Sequence, residues 1–192
     1  MEPEVPYRKV TFTIPNVITV VRILATPLIV IFFLQRDYYL ALVIFLIAGL
    51  SDLMDGYIAR NFQQKSPLGA VLDPLADRFL VSACFLTLGY YQFLPAWLVV
   101  TVLSRDIIIL GGVIVLKLFN VPFQINPARV SKWAFACQVG TIFLAILREI
   151  RPYPLWLLEL FCWLTAGLTI ISVLYYLWLG LRLLNQPAAG AE

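Results

Sequence analysis

Between Val17 and Leu184 the sequence runs as six apolar blocks, most of them close to the length of a bilayer crossing, and this limits the fold more than any other feature. The blocks are Val17–Leu34, Tyr38–Tyr57, Leu68–Tyr90, Leu94–Leu118, Val130–Leu147 and Leu155–Leu184, parted by short segments carrying Pro, Asn, Gly or charge. A hydrocarbon core about 30 Å thick takes about 20 largely apolar helical residues per crossing. Only 13% of the side chains are charged, against roughly 25% in a soluble domain. The mean hydropathy of +0.89 agrees. The expectation is an all-α integral membrane protein: one domain of six transmembrane helices over residues 16–184, a polar segment 1–15 and a disordered tail 185–192.

Lys and Arg fall mainly on one side of these crossings. Arg8, Lys9, Arg60, Lys65, Lys117, Arg129, Lys132 and Arg182 share it, against Arg36, Arg148 and Arg151. The excess of positive charge predicts that both termini face the cytosol, in a multi-pass protein of the bacterial inner membrane. The opening "MEPEVPYRKVTFTIPN" lacks the apolar core of a signal peptide, and "VPYRKVTF" suits a short helix lying on the membrane surface. A net charge of +3 spread over many loops argues for lipid head groups as partners and against nucleic acid. Cys84, Cys137 and Cys162 sit inside apolar blocks without metal or disulfide spacing, so they read as buried free thiols. Histidine is absent, which removes His-based nucleophilic or acid–base chemistry and leaves carboxylates as bases.

Against this background "DLMDGYIARNFQQKSPLGAVLDPLADR" is anomalous, because it sets four aspartates into apolar surroundings. Together Asp52, Asp55, Asp73 and Asp77 represent on the order of 10 kcal/mol of insertion cost unless they are solvated, paired or metal-bound. Asp52 and Asp55 are three residues apart and Asp73 and Asp77 four apart, so each pair shares a helical face. A short connection makes the two helices antiparallel neighbours, and all four carboxylates are expected to converge on one cytosol-facing pocket. Clustered carboxylates repel, and a divalent ion relieves that. Oxygen-only ligation points to Mg²⁺ or Mn²⁺, less often Ca²⁺, with four ligands suiting two metals. Such sites serve reactions at phosphorus. Gly56 and Ala59 leave room for a ligand, Arg60 can hold a phosphate, and Gly69 lies one turn before Asp73. Helix capping by exposed aspartates and a cation or proton pathway are the competing readings.

These positions fill a known signature. D-x-x-D-G-x-x-A-R, eight residues, then G-x-x-x-D-x-x-x-D is met by Asp52, Asp55, Gly56, Ala59, Arg60, Gly69, Asp73 and Asp77. The chain thereby resembles the CDP-alcohol phosphatidyltransferases. The resemblance implies six transmembrane helices, a homodimer, two divalent cations, and transfer of a phosphatidyl group from CDP-diacylglycerol to an alcohol with release of CMP. By analogy Asp52, Asp55 and Asp73 bind one metal, Asp73 and Asp77 help bind the other, and Asp77 is the base for the acceptor hydroxyl. Gly56, Arg60 and Ser66 match positions that contact the nucleotide and diphosphate. "PNVITVVR" resembles the donor-contacting start of helix 1, which nominates Asn16, Val17, Ile18 and Thr19.

For the acceptor, the resemblance narrows to the branch holding cardiolipin synthases and phosphatidylglycerophosphate synthases. The second kind is associated with A-R-E on helix 4, a further Arg two turns on, and K-x-K-T on helix 5. Here the segments are "SRDIIILGGVIV" and "SKWAFACQ", with Val113 and Ala134 at the second basic positions. This favours phosphatidylglycerol as acceptor and cardiolipin as product, with glycerol 3-phosphate as the alternative. Arg105, Asp106, Arg129 and Lys132 are the acceptor candidates, Arg105 being equally suited to a local pair with Asp106. Arg22 is a possible partner for the acidic cluster or for a lipid phosphate. The phosphohistidine route of phospholipase D-type cardiolipin synthases is closed to a chain without histidine.

Overall fold

The computed structural model describes residues 14–62, 69–118 and 129–184, with side chains over 20–51, 76–116, 118 and 130–183. The described residues form six helices: α1 (Ile14–Leu34), α2 (Tyr38–Phe62), α3 (Gly69–Tyr90), α4 (Ala96–Leu118), α5 (Arg129–Ile150) and α6 (Leu155–Leu184). Their bounds follow the apolar blocks closely except in α2, which continues beyond Tyr57 to Phe62. Charge at Asp55 and Arg60 interrupts an apolar block, yet neither charge nor a single glycine need end a helix. The surface helix expected over "VPYRKVTF" and the tail after Leu184 lie outside the described residues.

Among the described residues, three helices are long and apolar enough to cross a membrane: Ala96–Leu116, Val130–Ile150 and Leu155–Leu183. Two shorter apolar runs, Val20–Leu34 and Tyr38–Ser51, precede them. The chain divides into two units, Met1–Leu80 and Val81–Glu192.

In the first unit α1 packs on α2. Ala25, Ile29 and Phe33 are buried on α1, and Ala41, Leu42, Phe45 and Ala48 on α2. Their three- and four-residue spacing makes one apolar stripe per helix, and the alanines allow close approach. Pro27 lies inside α1 and lacks the N–H that would reach the Ile23 carbonyl. One residue back, the Thr26 hydroxyl donates to the Arg22 carbonyl at 3.1 Å. The corner after α1 closes with Asp37 N–H on the Phe32 carbonyl and Arg36 N–H on that of Phe33. Arg36 sits there at φ 59°, a left-handed position usually given to glycine. Asp37 then caps α2 through Leu40 N–H at 3.1 Å.

In the second unit α4 and α5 each pack against α6. The corner after α3 repeats the first: Phe93 N–H reaches the Leu88 carbonyl, Gln92 N–H that of Gly89, and Gln92 has φ 61°. Gly89 is required at this corner, since an added Cβ would stand 2.7 Å from a Val99 methyl. Between α5 and α6, the Tyr153 hydroxyl donates to the Leu144 carbonyl at 2.7 Å. Burial pushes that phenol above the ordinary tyrosine range, with the nearby Arg148 guanidinium acting in the other direction.

Candidate active site

The signature lies on helices. Asp52, Asp55, Gly56, Ala59 and Arg60 belong to α2, whereas Gly69 opens α3 and Asp73 and Asp77 follow on it. The spacings of three and four are therefore true helical spacings, and each aspartate pair occupies one helix face. Asn16, Val17, Ile18 and Thr19 fall in the opening turns of α1. Of this set only the Asp77 side chain is among the described ones; Ser66 and the expected convergence of all four carboxylates lie outside them.

Asp77 is 22% exposed and forms an ion pair with Nη1 of Arg22, which is only 3% exposed. A guanidinium stays charged in any protein environment, and burying one without a counter-charge costs several kcal/mol. Arg22 on α1 thus has a physical need for Asp77 on α3, which decides between the acidic cluster and a lipid phosphate as its partner here. The ion pair ties this carboxylate of α3 to α1. Among the described residues no three Asp, Glu, Cys or His side chains group closely enough to hold a metal. The four signature aspartates supply the oxygen-only donor set that Mg²⁺ or Mn²⁺ takes, so the residues present fit such ions by chemistry.

A second arginine–aspartate pair lies in the C-terminal unit. Arg105 on α4 is 2% exposed, and its Nη1 donates to Asp106 Oδ1 at 2.7 Å. Its Nη2 donates to Ser131 Oγ of α5 at 2.7 Å and to Ser172 Oγ of α6 at 3.5 Å. Ser82 Oγ of α3 approaches Asp106 Oδ2 at 3.4 Å. The Arg105 Nε is buried with no hydrogen-bond partner. The local pair expected for Arg105 is thus present, extended by serines from two other helices. Lys132 follows Ser131 but is exposed, so it stands apart from the Arg105 cluster; the Arg129 side chain is not among the described ones.

Several buried polar residues went unnoticed in the sequence. Gln138 Nε2 donates to Thr169 Oγ1 at 3.3 Å, and the Thr141 and Thr165 hydroxyls lie 2.8 Å apart. With Ser131 and Ser172 they form a polar seam between α5 and α6, every member buried. A signal was available: Thr165, Thr169 and Ser172 recur at helical spacing through an apolar block.

The family model described as CDP-alcohol phosphatidyltransferase matches residues 12–177, most of the chain. A rat cardiolipin synthase (CMP-forming) is 38% identical over 127 residues, which is 66% of this chain and 41% of that protein. A cardiolipin synthase (CMP-forming)/mitochondrial hydrolase fusion protein of Schizosaccharomyces pombe is 34% identical over 163 residues, 77% of this chain and 27% of the fusion. A CDP-diacylglycerol–glycerol-3-phosphate 3-phosphatidyltransferase of Bacillus subtilis is 29% identical over 178 residues, 84% of this chain and 91% of the relative. The chain thus spans under half the length of the rat and yeast proteins and nearly all of the bacterial one.

Proposed function

Because the chain belongs to the CDP-alcohol phosphatidyltransferase family, we propose that it transfers a phosphatidyl group from CDP-diacylglycerol to an alcohol, releasing CMP. The observation that carries this reading is Asp77, the last position of the signature, held in place by the buried Arg22. In the proposed reaction the acceptor oxygen attacks the phosphatidyl phosphorus, the bond from that phosphorus to the CMP oxygen breaks, and Asp77 takes the hydroxyl proton. A carboxylate is a weak base for an alcohol, so orientation contributes much of the rate. Two Mg²⁺ or Mn²⁺ ions bound by Asp52, Asp55, Asp73 and Asp77 would offset charge on the diphosphate and the departing CMP. Asn16, Val17, Ile18, Thr19, Asp52, Gly56, Ala59, Arg60, Ser66 and Gly69 are assigned to the donor. The assignment includes six membrane crossings, a cytosolic active site and termini, a bacterial inner-membrane location and a homodimer.

Phosphatidylglycerol is the proposed acceptor. Relatives named cardiolipin synthase (CMP-forming) support it, as does the burial of Ala134, where the other branch carries a cation. Arg105, Asp106, Arg129 and Lys132 are assigned to the acceptor, with Arg105 contributing affinity from a guanidinium already oriented by Asp106, Ser131 and Ser172. Glycerol 3-phosphate is the second reading, favoured by the near full-length match to the Bacillus subtilis protein. CMP release by purified protein with Mn²⁺ and CDP-diacylglycerol, given phosphatidylglycerol, glycerol 3-phosphate, inositol and serine in parallel, tests both. Turnover with phosphatidylglycerol is expected; turnover with glycerol 3-phosphate alone would establish the second reading, and none with any acceptor would remove the transferase proposal.

A further inference from the structure

At the end of the second unit away from the Arg105 cluster, a pocket of about 410 Å³ opens between the corner after α3 and the helices α5 and α6. Arg148 is ~25 Å along α5 from Ser131, and Glu159 is ~20 Å along α6 from Ser172. The pocket lies where α4 and α6 begin and α5 ends, three helices long enough to cross a membrane, so it sits at the level of one membrane interface.

Its lining is unusual in chemistry. Arg148 comes from α5, Glu159 and Trp163 from α6, Trp97 from α4, and Gln92 and Phe93 from the corner. Among the described residues neither Arg148 nor Glu159 has an ion-pair or hydrogen-bond partner. Two opposite charges thus face one cavity without neutralising each other. Glu159 and Trp163 are four residues apart, on one face of α6. The Trp163 ring lies 4.9 Å from that of Trp97 at an interplanar angle of 31°, and the two side chains are 68% and 42% exposed. A carboxylate beside indole faces favours an ammonium, while a guanidinium beside an amide favours a phosphate. Exposed tryptophans are the side chains that settle at head-group depth.

We infer that this pocket binds a phospholipid with a phosphoethanolamine head group, the ammonium between Glu159 and the indoles and the phosphate at Arg148 and Gln92. A zwitterion satisfies both charges at once. An anionic head group of the glycerol type would satisfy Arg148 but leave Glu159 facing a negative ligand. The inference is independent of the transferase reading, because it uses none of the residues assigned to donor, metal or acceptor.

The full chain in detergent, offered phosphatidylethanolamine or phosphatidylglycerol of identical acyl chains, tests it, with retained lipid counted by native mass spectrometry. The wild type is expected to retain one phosphatidylethanolamine per chain with about tenfold preference, the scale of one charge-assisted hydrogen bond. Glu159→Gln should erase the preference and Arg148→Gln should lower retention of both lipids. Glu149→Gln, on an exposed neighbour outside the pocket, should change neither. Equal retention of the two lipids by the wild type, which needs no variant to fold, overturns the inference, as does a preference that survives Glu159→Gln. Water-soluble glycerophosphoethanolamine separates the sources: failure to displace the lipid supports a phospholipid ligand, and binding as tight as the lipid's overturns that assignment.

Discussion

The two units handle buried polarity in different ways. In the N-terminal unit, the polar side chains buried among the described residues are Arg22 and Thr26, both on α1, and the rest of the α1–α2 stripe is Ala, Leu, Ile and Phe. Among the described residues its buried charge is Arg22, which meets Asp77 across 55 positions of sequence. In the C-terminal unit the buried polar groups are spread: Arg105, Ser131, Gln138, Thr141, Thr165, Thr169 and Ser172 join α4, α5 and α6. Their contacts run from guanidinium to hydroxyl, amide to hydroxyl, hydroxyl to hydroxyl and hydroxyl to backbone carbonyl, and polar side-chain contacts of this kind join helices in membranes. The contrast separates an ion pair that holds one carboxylate, the proposed base, from a scaffold that binds helices together and orients a guanidinium.

The largest effect expected from this contrast is at Asp77. Asp77→Asn removes the proposed base while keeping the shape, and CMP release should fall by about a thousandfold or more, alongside a stability loss of about 3 kcal/mol in detergent because the buried Arg22 guanidinium loses the charge of this partner. Asp106→Asn makes the same chemical change in the other pair and should leave turnover within about tenfold. If the two substitutions reduce turnover equally, the functional distinction between the pairs is lost.

Next in size is Arg22→Gln. It takes the Arg22 guanidinium away from Asp77, and the expected loss is about 3 kcal/mol in an unfolding titration, the cost of breaking a buried pair from one side. A variant as stable as wild type but inactive would move Arg22 from positioning Asp77 into the chemistry itself.

How far the sequence discloses these features depends on the kind of signal. Helix bounds were legible because each block is long and apolar, and their ends carry Pro, Gly or charge. The four aspartates were legible because a carboxylate in an apolar block is costly enough to demand a reason. The partner of Arg22 was not, since a one-dimensional pattern holds no information on which residue 55 positions away will face it. The α5–α6 seam was overlooked for a milder reason: Ser and Thr are cheap in apolar helices, so their recurrence at 165, 169 and 172 does not force a question. Arg36 and Gln92 at left-handed positions carried no glycine to mark them.

Arg105→Gln should show its effect on acceptor affinity more than on chemistry. Loss of a charge-assisted contact raises the acceptor KM by about tenfold to a hundredfold, with kcat moving less, as steady-state kinetics at saturating donor would show. A fall in kcat as deep as that of Asp77→Asn would place both pairs at the reacting atoms. Smaller again are the two corners. Arg36→Gly and Gln92→Gly relieve left-handed backbone at equivalent positions of the two units, and each should add about 0.5–1 kcal/mol to stability in lipid-free detergent. Gains that differ widely would show that the corners are not energetically equivalent despite the shared hydrogen-bond pattern.

The finest probe is the seam itself. Thr141 and Thr165 share a hydroxyl contact of 2.8 Å between α5 and α6, and the Thr141 hydroxyl also has the Cys137 carbonyl at 2.9 Å and the Phe161 carbonyl at 3.4 Å. Replacing either threonine by valine keeps the shape and removes one hydroxyl. A double-mutant cycle isolates what passes between the helices from what each residue does within its own. The expected coupling is about 0.6 kcal/mol, the usual size of an interhelical hydrogen bond in a membrane. In the first unit Thr26 is the control: its hydroxyl returns to the Arg22 carbonyl of the same helix, so Thr26→Val should show no coupling with substitutions on α2. A Thr141–Thr165 coupling indistinguishable from that control would reduce the seam to packing, and the two units would then differ only in where their charges stand.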